Sequence, residues 1–287
     1  MKISILGGSG FLGSYIVDIL SKKYKSINVL DLSKGKYSNK NINFIKCDIT
    51  DNNSLIKSLK GTTHLFHLAG MANLEKAYYL PDQTFEQNIK GTINVLRACT
   101  ELKIKKLLYS STLYVAGDYG GFYGCSKRAC EDYIVEFSKL NKFKYSILRY
   151  GSLYGPGSDS SNGLLRIITN AIKKKQVIYR GDPNTTREYI HVSDAAKSTI
   201  EIMFNKKFDN TKINITGNNN VKILDLLNII KDILKIKKKI IFTKDKFIGH
   251  YVRTPYTSST IPTKFINNPH IDFNEGLFDL IEYLKNK

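Results

Sequence analysis

The turn Gly7-Gly8-Ser9-Gly10-Phe11-Leu12-Gly13 and its flanks constrain this chain more than any other stretch. Ile3-Ser4-Ile5-Leu6 before it is short, apolar and β-branched, the pattern of a buried strand. After it, Phe11, Leu12, Tyr15, Ile16, Ile19 and Leu20 recur at helical spacing as far as Lys22. Ile27-Asn28-Val29-Leu30 then reads as a second strand, closed by Asp31. A strand, a glycine turn, a helix and a parallel strand ending in a carboxylate form a dinucleotide-binding unit. Gly7 permits the tight turn, Gly10 leaves bare backbone for a pyrophosphate, and Gly13 lets the helix approach the strand. The helix N-terminus offers free N–H groups and a positive dipole end to the anion. Asp31 follows Gly13 by 18 positions, near the expected interval of about 20. Its carboxylate can accept both ribose hydroxyls and repels a 2′-phosphate, so the pattern predicts NAD rather than NADP. The plain alternative is an α/β turn whose glycines serve packing alone.

The 287 residues suffice for one large domain, or a domain with a smaller companion, and 42% are hydrophobic. Met1 leads straight into a strand, and no run of 18 apolar residues occurs. A cytoplasmic protein without a membrane partner is therefore expected. Cys47, Cys99, Cys125 and Cys130 form no CxxC pair and have no metal spacing with histidine, so buried free thiols and no metal are expected. The formal charge of +19 could signal nucleic acid or an anionic membrane. The lysines, however, are spread along the chain, and the runs Lys173-Lys174-Lys175 and Lys237-Lys238-Lys239 are short. They read as solvated helix ends or turns rather than a nucleic-acid surface.

Further along, Asn43–Cys47 reads as a third strand, and Asp51 can cap a helix over Asn52–Leu59. Asp48 falls at the carboxyl edge of the sheet, where it can accept from an adenine amino group; a cap or turn role is the alternative. Thr63–Gly70 is a fourth strand ending in small residues, with His64 and His67 on opposite faces. A long helix is predicted over Asp82–Leu102, a fifth strand over Leu107–Thr112, a helix over Phe122–Leu140 and a sixth strand over Tyr145–Arg149. Gly151–Gly157 reads as a loop, Gly163–Lys174 as a helix, and a helix opened by Ser193 or Asp194 runs to Phe204. Ile213–Ile215 reads as a late strand, with amphipathic helices over Ile223–Leu234 and Asn274–Leu284. The fold class predicted is α/β, a Rossmann-type doubly wound parallel sheet with a smaller C-terminal substrate-binding region. Residues 1–160 form the NAD-binding part, 187–215 return to it, and 161–287 are mainly substrate-binding.

Tyr123-Gly124-Cys125-Ser126-Lys127 carries the chemistry. Positions four apart share a helix face, so Lys127 lies one turn above Tyr123 and its ammonium favours the phenolate. That would bring a phenol of ordinary pKa about 10 closer to neutral pH as an acid–base group. Thr112 closes the strand Ser110-Ser111-Thr112 and can hydrogen-bond the reacting hydroxyl or carbonyl.

With these residues in place, the chain resembles the extended short-chain dehydrogenases/reductases, in the NAD-dependent sugar-nucleotide epimerase/dehydratase family. The matching motifs are the glycine turn, Asp31, Asp48-Ile49, His67-Leu68-Ala69, Asn88-Ile89-Lys90-Gly91-Thr92, Ser110-Ser111-Thr112, Tyr123-x-x-x-Lys127, Leu148-Arg149-Tyr150, Tyr154-Gly155-Pro156-Gly157 and Arg187–Val192. The resemblance implies NAD contacts at Gly7, Gly10, Phe11, Leu12, Gly13, Asp31, Asp48, Ile49, Leu68, Ala69, Gly70, Asn88, Ser110, Tyr123, Lys127 and Tyr150. It implies a nucleotide-sugar substrate held by Thr112, Ser152, Arg187 and Arg253, with the Arg187 fork on the diphosphate; a surface ion pair is the alternative for Arg187. It also implies a homodimer paired through the two long helices.

Three departures matter. Leu113-Tyr114 stands where 4,6-dehydratases carry Asp-Glu, so dehydration is not expected. Ser152 replaces the family's asparagine. Tyr123 comes only 11 positions after Thr112, which implies a pocket more open or completed by other loops. The activity expected is epimerisation of a nucleotide sugar at C4 through transient oxidation. The alternatives are a nucleotide-sugar reductase or dehydrogenase with net redox change, and a non-catalytic NAD-binding protein.

Overall fold

Short apolar strands alternate with amphipathic helices through the first 150 residues, and each crossover lays the next strand parallel to the last. In the computed structural model, described over residues 1–243 and 263–286, β1 (Ile3–Leu6), β2 (Ile27–Asp31) and β3 (Ile42–Lys46) form one wing of a sheet. β4 (His64–His67), β5 (Lys106–Thr112) and β6 (Lys144–Tyr150) form the other. β10 (Thr211–Ile215) and the two-residue β13 (Thr263–Lys264) extend it, giving eight parallel strands in the order β13-β10-β6-β5-β4-β1-β2-β3. The order reverses between β1 and β4, and ligands bind at that switch point in open parallel sheets.

Strand residues alternate between two cores. On one face α1 (Phe11–Lys23) and α8 (Val192–Phe204) bury Ile16, Val17, Leu20, Ala195 and Ile202 against Ile3, Ile5, Val29, Phe66 and Leu108. On the other, α2 (Asn52–Leu59), α5 (Gly91–Glu101) and α6 (Gly121–Asn141) pack on Leu6, Leu30, Leu65, Leu107 and Ile147. His64 stacks near Phe204 of α8, whereas His67 bonds Thr92 of α5, so the two histidines do face opposite ways. Asp51 caps α2, accepting from Ser54 N at 3.0 Å.

A third core lies below the carboxyl edge. There α7 (Gly163–Lys174), α9 (Ile223–Ile233) and α10 (Phe273–Lys285) enclose Tyr154, Leu164, Ile168, Leu226, Leu227 and Leu280. Small sheets brace it: β7 (Ser152–Tyr154), β9 (Thr186–His191) and β11 (Asn220–Lys222) in one, β8 (Ile178–Arg180) and β12 (Ile241–Thr243) in the other. Thus α8 and β10 join the large sheet, while β9 belongs to the small one.

Four local expectations are corrected. The segment expected as one helix over Asp82–Leu102 is a short helix α4 (Pro81–Thr84), one π-helical turn (Phe85–Lys90), and α5, with a separate α3 (Leu74–Tyr79) before it. The wide turn carries Asn88 inward, where its side chain bonds the Met71 backbone. The expected loop after Gly151 contains β7, paired in register with β9. α8 begins at Val192, because the His191 ring accepts from Ser193 N; Asp194 is drawn away to accept from Ile271 N at 2.8 Å. Cys125 is exposed, since Tyr123, Ser126, Lys127 and Cys130 take the inner face of α6; the other three thiols are buried. Among the described residues no helix is long and apolar enough to cross a membrane.

Candidate active site

The glycine turn shows which glycine does what. A Cβ on Gly13 would lie 2.2 Å from the Gly7 carbonyl, and one on Gly7, at φ +78°, would lie 2.6 Å from Ala69 N. Both glycines are therefore demanded by packing. A Cβ on Gly10 meets only the Gly7 carbonyl, at 3.3 Å, so its Cα faces open space. Gly10 begins α1 without a side-chain cap, and the first turn carries no acidic residue. Its N–H groups are left for an anion. Asp31 holds the turn as well as facing the cleft: Oδ2 accepts from Ser9 N at 2.9 Å and Oδ1 from Leu32 N at 2.8 Å. Bare backbone, an uncapped helix start and a fixed carboxylate at the switch point fit NAD.

The cleft above this turn has a volume of about 1720 Å³. Single drug-sized ligands occupy pockets of roughly 300–1,000 Å³, so there is room for a dinucleotide and a second ligand together. Gly7, Gly10, Phe11, Leu12 and Gly13 line it, with Asp48 and Ile49 after β3 and Leu68, Ala69 and Gly70 after β4. Asp48 is already half engaged, its Oδ1 accepting from the Thr50 backbone N–H and hydroxyl, both at 2.8 Å. Ser110, Thr112, Tyr123 and Tyr150 line the centre, and Ser152 and Arg187 the far side. The Tyr150 hydroxyl is engaged with Thr199, 2.6 Å away. Arg187 donates to its neighbour's carbonyl, Thr186 O, at 2.9 Å. Arg253 lies outside the described residues.

Asn88 and Lys127 are brought near but stay behind the wall. Asn88 Oδ1 accepts from Met71 N at 2.7 Å, and its Nδ2 donates to Met71 O and to Ser126 Oγ. It shapes the Gly70–Met71 turn rather than lining the cleft. Lys127 Nζ donates to Ser110 O at 2.8 Å and sits 4.7 Å from the Tyr109 ring centroid, but 6.0 Å from that of Tyr123. This overturns one electrostatic expectation. Burial pushes the Tyr123 phenol up to about 12, against a smaller lowering by its hydrogen bond with Thr112. Burial likewise pulls the Lys127 ammonium down to about 8. Desolvation sets both directions, and the ammonium is turned to a carbonyl and a neighbouring ring rather than to the phenol. In this state Tyr123 is a neutral phenol joined to Thr112, ready to give a proton.

The connection between Thr112 and Tyr123 is one 3₁₀ turn (Leu113–Ala116) and a glycine-rich bend. Arg128 pins it, its guanidinium donating to Val115 O and Gly117 O. Leu113 is buried, and Tyr114 lines the cleft with its ring edge-on to Tyr123, centroids 6.3 Å apart. No carboxylate stands at these two positions. The wall is completed instead by Asn73, Leu74 and Glu75 at the start of α3 and by Gln83, Glu86 and Gln87 beyond it.

Sequence reasoning missed the polar face of α7. Asn162, Arg166, Asn170 and Lys174, four apart, all line the cleft, opposite Tyr179 and Arg180 of β8. The signal was present: Leu164, Ile168 and Ala171 mark the buried stripe, which turns those polar positions outward.

The described residues contain no group of three or more His, Cys, Asp or Glu side chains placed to hold a metal. The family model described as the NAD dependent epimerase/dehydratase family matches residues 3–216. A UDP-glucose 4-epimerase of Yersinia enterocolitica is 29% identical over 249 residues, covering 71% of this chain and 74% of its own. The crystal structure of a UDP-glucose 4-epimerase with UDP-glucose from Thermotoga maritima superposes with a TM-score of 0.86 at 26% identity, covering 100% of this chain and 99% of that one. A UDP-N-acetylglucosamine 4-epimerase from Methanobrevibacter ruminantium M1, in complex with UDP-N-acetylmuramic acid, gives 0.85 at 25% identity, over 99% and 98%.

Proposed function

We propose, from the premise that this chain belongs to the NAD dependent epimerase/dehydratase family, that it inverts a nucleotide sugar at C4. The observation that carries the reading is that Thr112 and Tyr123 both line the centre of a cleft large enough for both ligands. The glycine turn, Asp31, Asp48 and the Leu68–Gly70 backbone would hold NAD. When bound, NAD supplies a hydride acceptor that becomes a hydride donor, and its oxidised ring adds a positive charge.

The chain's own residues manage the proton and the orientation. Thr112 bonds the C4 oxygen and fixes its distance from the phenol. As the phenolate that the added positive charge and Lys127 favour, Tyr123 takes the hydroxyl proton as the carbonyl forms and returns it as the hydroxyl is restored on the opposite face. Lys127 stabilises the phenolate stage through its charge. Arg187, with the α7 face, would take the diphosphate. Leu113 and Tyr114 offer no carboxylate to expel water, which favours return of the sugar over dehydration.

Incubation with a panel of nucleotide sugars, followed by proton NMR, is expected to show each substrate's C4 epimer approaching equilibrium without added reductant. Net consumption of NADH with a keto sugar, and no epimer from any member of the panel, would replace this reading with a reductase. The homodimer expectation is supported by large side chains exposed near the two helices: Tyr79, Phe85, Phe122 and Tyr133 are 65%, 52%, 48% and 44% exposed. Sedimentation should then give twice the mass of one chain, and a single-chain mass would refute pairing.

A further inference from the structure

Beneath the cleft lies a buried carboxylate that the proposed reaction does not use directly. Glu131 is on α6, one turn past Lys127 and two turns past Tyr123. It is 1% exposed. Its Oε1 accepts from Ser111 Oγ at 2.6 Å and Arg149 Nε at 2.9 Å; its Oε2 accepts from Arg149 at 2.7 Å and pairs with Lys212 Nζ at 3.1 Å. One side chain therefore ties α6 to β5, β6 and β10. A charge this deep is retained only when fully partnered, and removing its partners or itself leaves the others uncompensated.

The strand it grips matters. Ser111 sits between Ser110, whose carbonyl holds the Lys127 ammonium, and Thr112, which bonds Tyr123. Arg149 precedes Tyr150 at the cleft floor. We propose that Glu131 is a positioning residue: it locks the end of β5 against α6 and supplies the negative charge that keeps Lys127 an ammonium. The proposal rests on the catalytic reading above only for its consequence in turnover, not for its structural content.

The surroundings of Lys127 support this. From β5 comes Tyr109 and from β4 His67; from α6 come Tyr123, Cys130 and Glu131. Burial raises Tyr109 and holds His67 neutral, pulled down to about 3. Burial alone would raise Glu131, but Arg149, Ser111 and Lys212 hold it below the usual carboxylate range, so it stays charged. Cys130 and then this carboxylate, one turn past Lys127 on the same helix, work against the burial of Lys127. Without it, Arg149 and Lys212 would stand as uncompensated cations around the position one turn past Lys127.

The test reads Lys127 in the ligand-free protein, by ¹³C NMR of lysine Cε against pH, with the signal assigned by its loss in Lys127→Met. Glu131→Gln is expected to lower the midpoint by about one pH unit or more, and to move the alkaline limb of kcat to lower pH by the same amount. Glu131→Asp should restore most of both. A folded Glu131→Gln protein with an unmoved midpoint overturns the proposal. Lys212→Met guards against a variant that fails to fold, since Lys212 is about one-third exposed and also neighbours the exposed Asp132. It removes a cation from the same carboxylate, so the midpoint should rise; a midpoint that stays or falls overturns the charge argument. A shifted midpoint with no epimerase activity in any variant would instead indict the catalytic reading alone.

Discussion

Replacing Tyr123 by phenylalanine lowers kcat by about 10²- to 10⁴-fold, the usual contribution of a positioned acid–base group, while NAD stays bound. Phenylalanine keeps the ring that packs with Tyr114 and removes the hydroxyl alone. The fold should therefore be unaffected, and KM for the nucleotide sugar should change little. Loss of the cofactor with the hydroxyl, or turnover within about threefold of the parent, would contradict the role. The buried setting sets the sign of the pH dependence. A phenol pushed up to about 12 is protonated at neutral pH in the ligand-free enzyme. The oxidised nicotinamide ring would add a positive charge beside it, so in the loaded enzyme the rise of activity with pH should come below the fall that reports loss of the Lys127 ammonium, whose midpoint is pulled down to about 8.

Gly13→Ala abolishes retention of NAD. The new methyl would lie 2.2 Å from the Gly7 carbonyl and 2.8 Å from the Gly8 Cα, all backbone, so α1 must move off the turn. Overpacking of this kind costs about 1–3 kcal/mol in stability, and it displaces the N–H groups meant for the diphosphate. Gly10→Ala separates cradle from packing. Its methyl points into the cleft with only the Gly7 carbonyl nearby, at 3.3 Å. The melting temperature should stay near the parent's while NAD binding weakens. Chromatography of NAD released from denatured protein, with a thermal melt, decides both. Stoichiometric NAD in purified Gly10→Ala would show that this glycine is not part of the cradle.

How much of this was legible in the sequence depended on where each residue's partners lie. Strands β1 to β6 announced themselves because a parallel sheet covered on both faces needs continuous apolar runs. α1, α2, α6 and α7 carried their stripes and, for α2, a cap. β7, β8 and β12 span three residues each. That is too short for any period, and their partners are remote in sequence. The π turn at Asn88 was hidden for the same reason: it exists to reach Met71 and Ser126. In the site, Thr112 and Tyr123 were found from strand-end and helix position. The Tyr123–Lys127 spacing was right, but its electrostatics were not. Spacing gives a shared face, whereas the direction of a pKa shift depends on burial, which spacing does not report. The cleft face of α7 was readable from its buried stripe, but not what it would face.

The most direct measurement uses a nucleotide sugar carrying deuterium on C4. Oxidation and return at that carbon within one closed site predicts the C4 epimer with its deuterium kept on C4 and no solvent proton in its place. An epimer that has lost the label to water, or inversion at a carbon other than C4, would contradict the account.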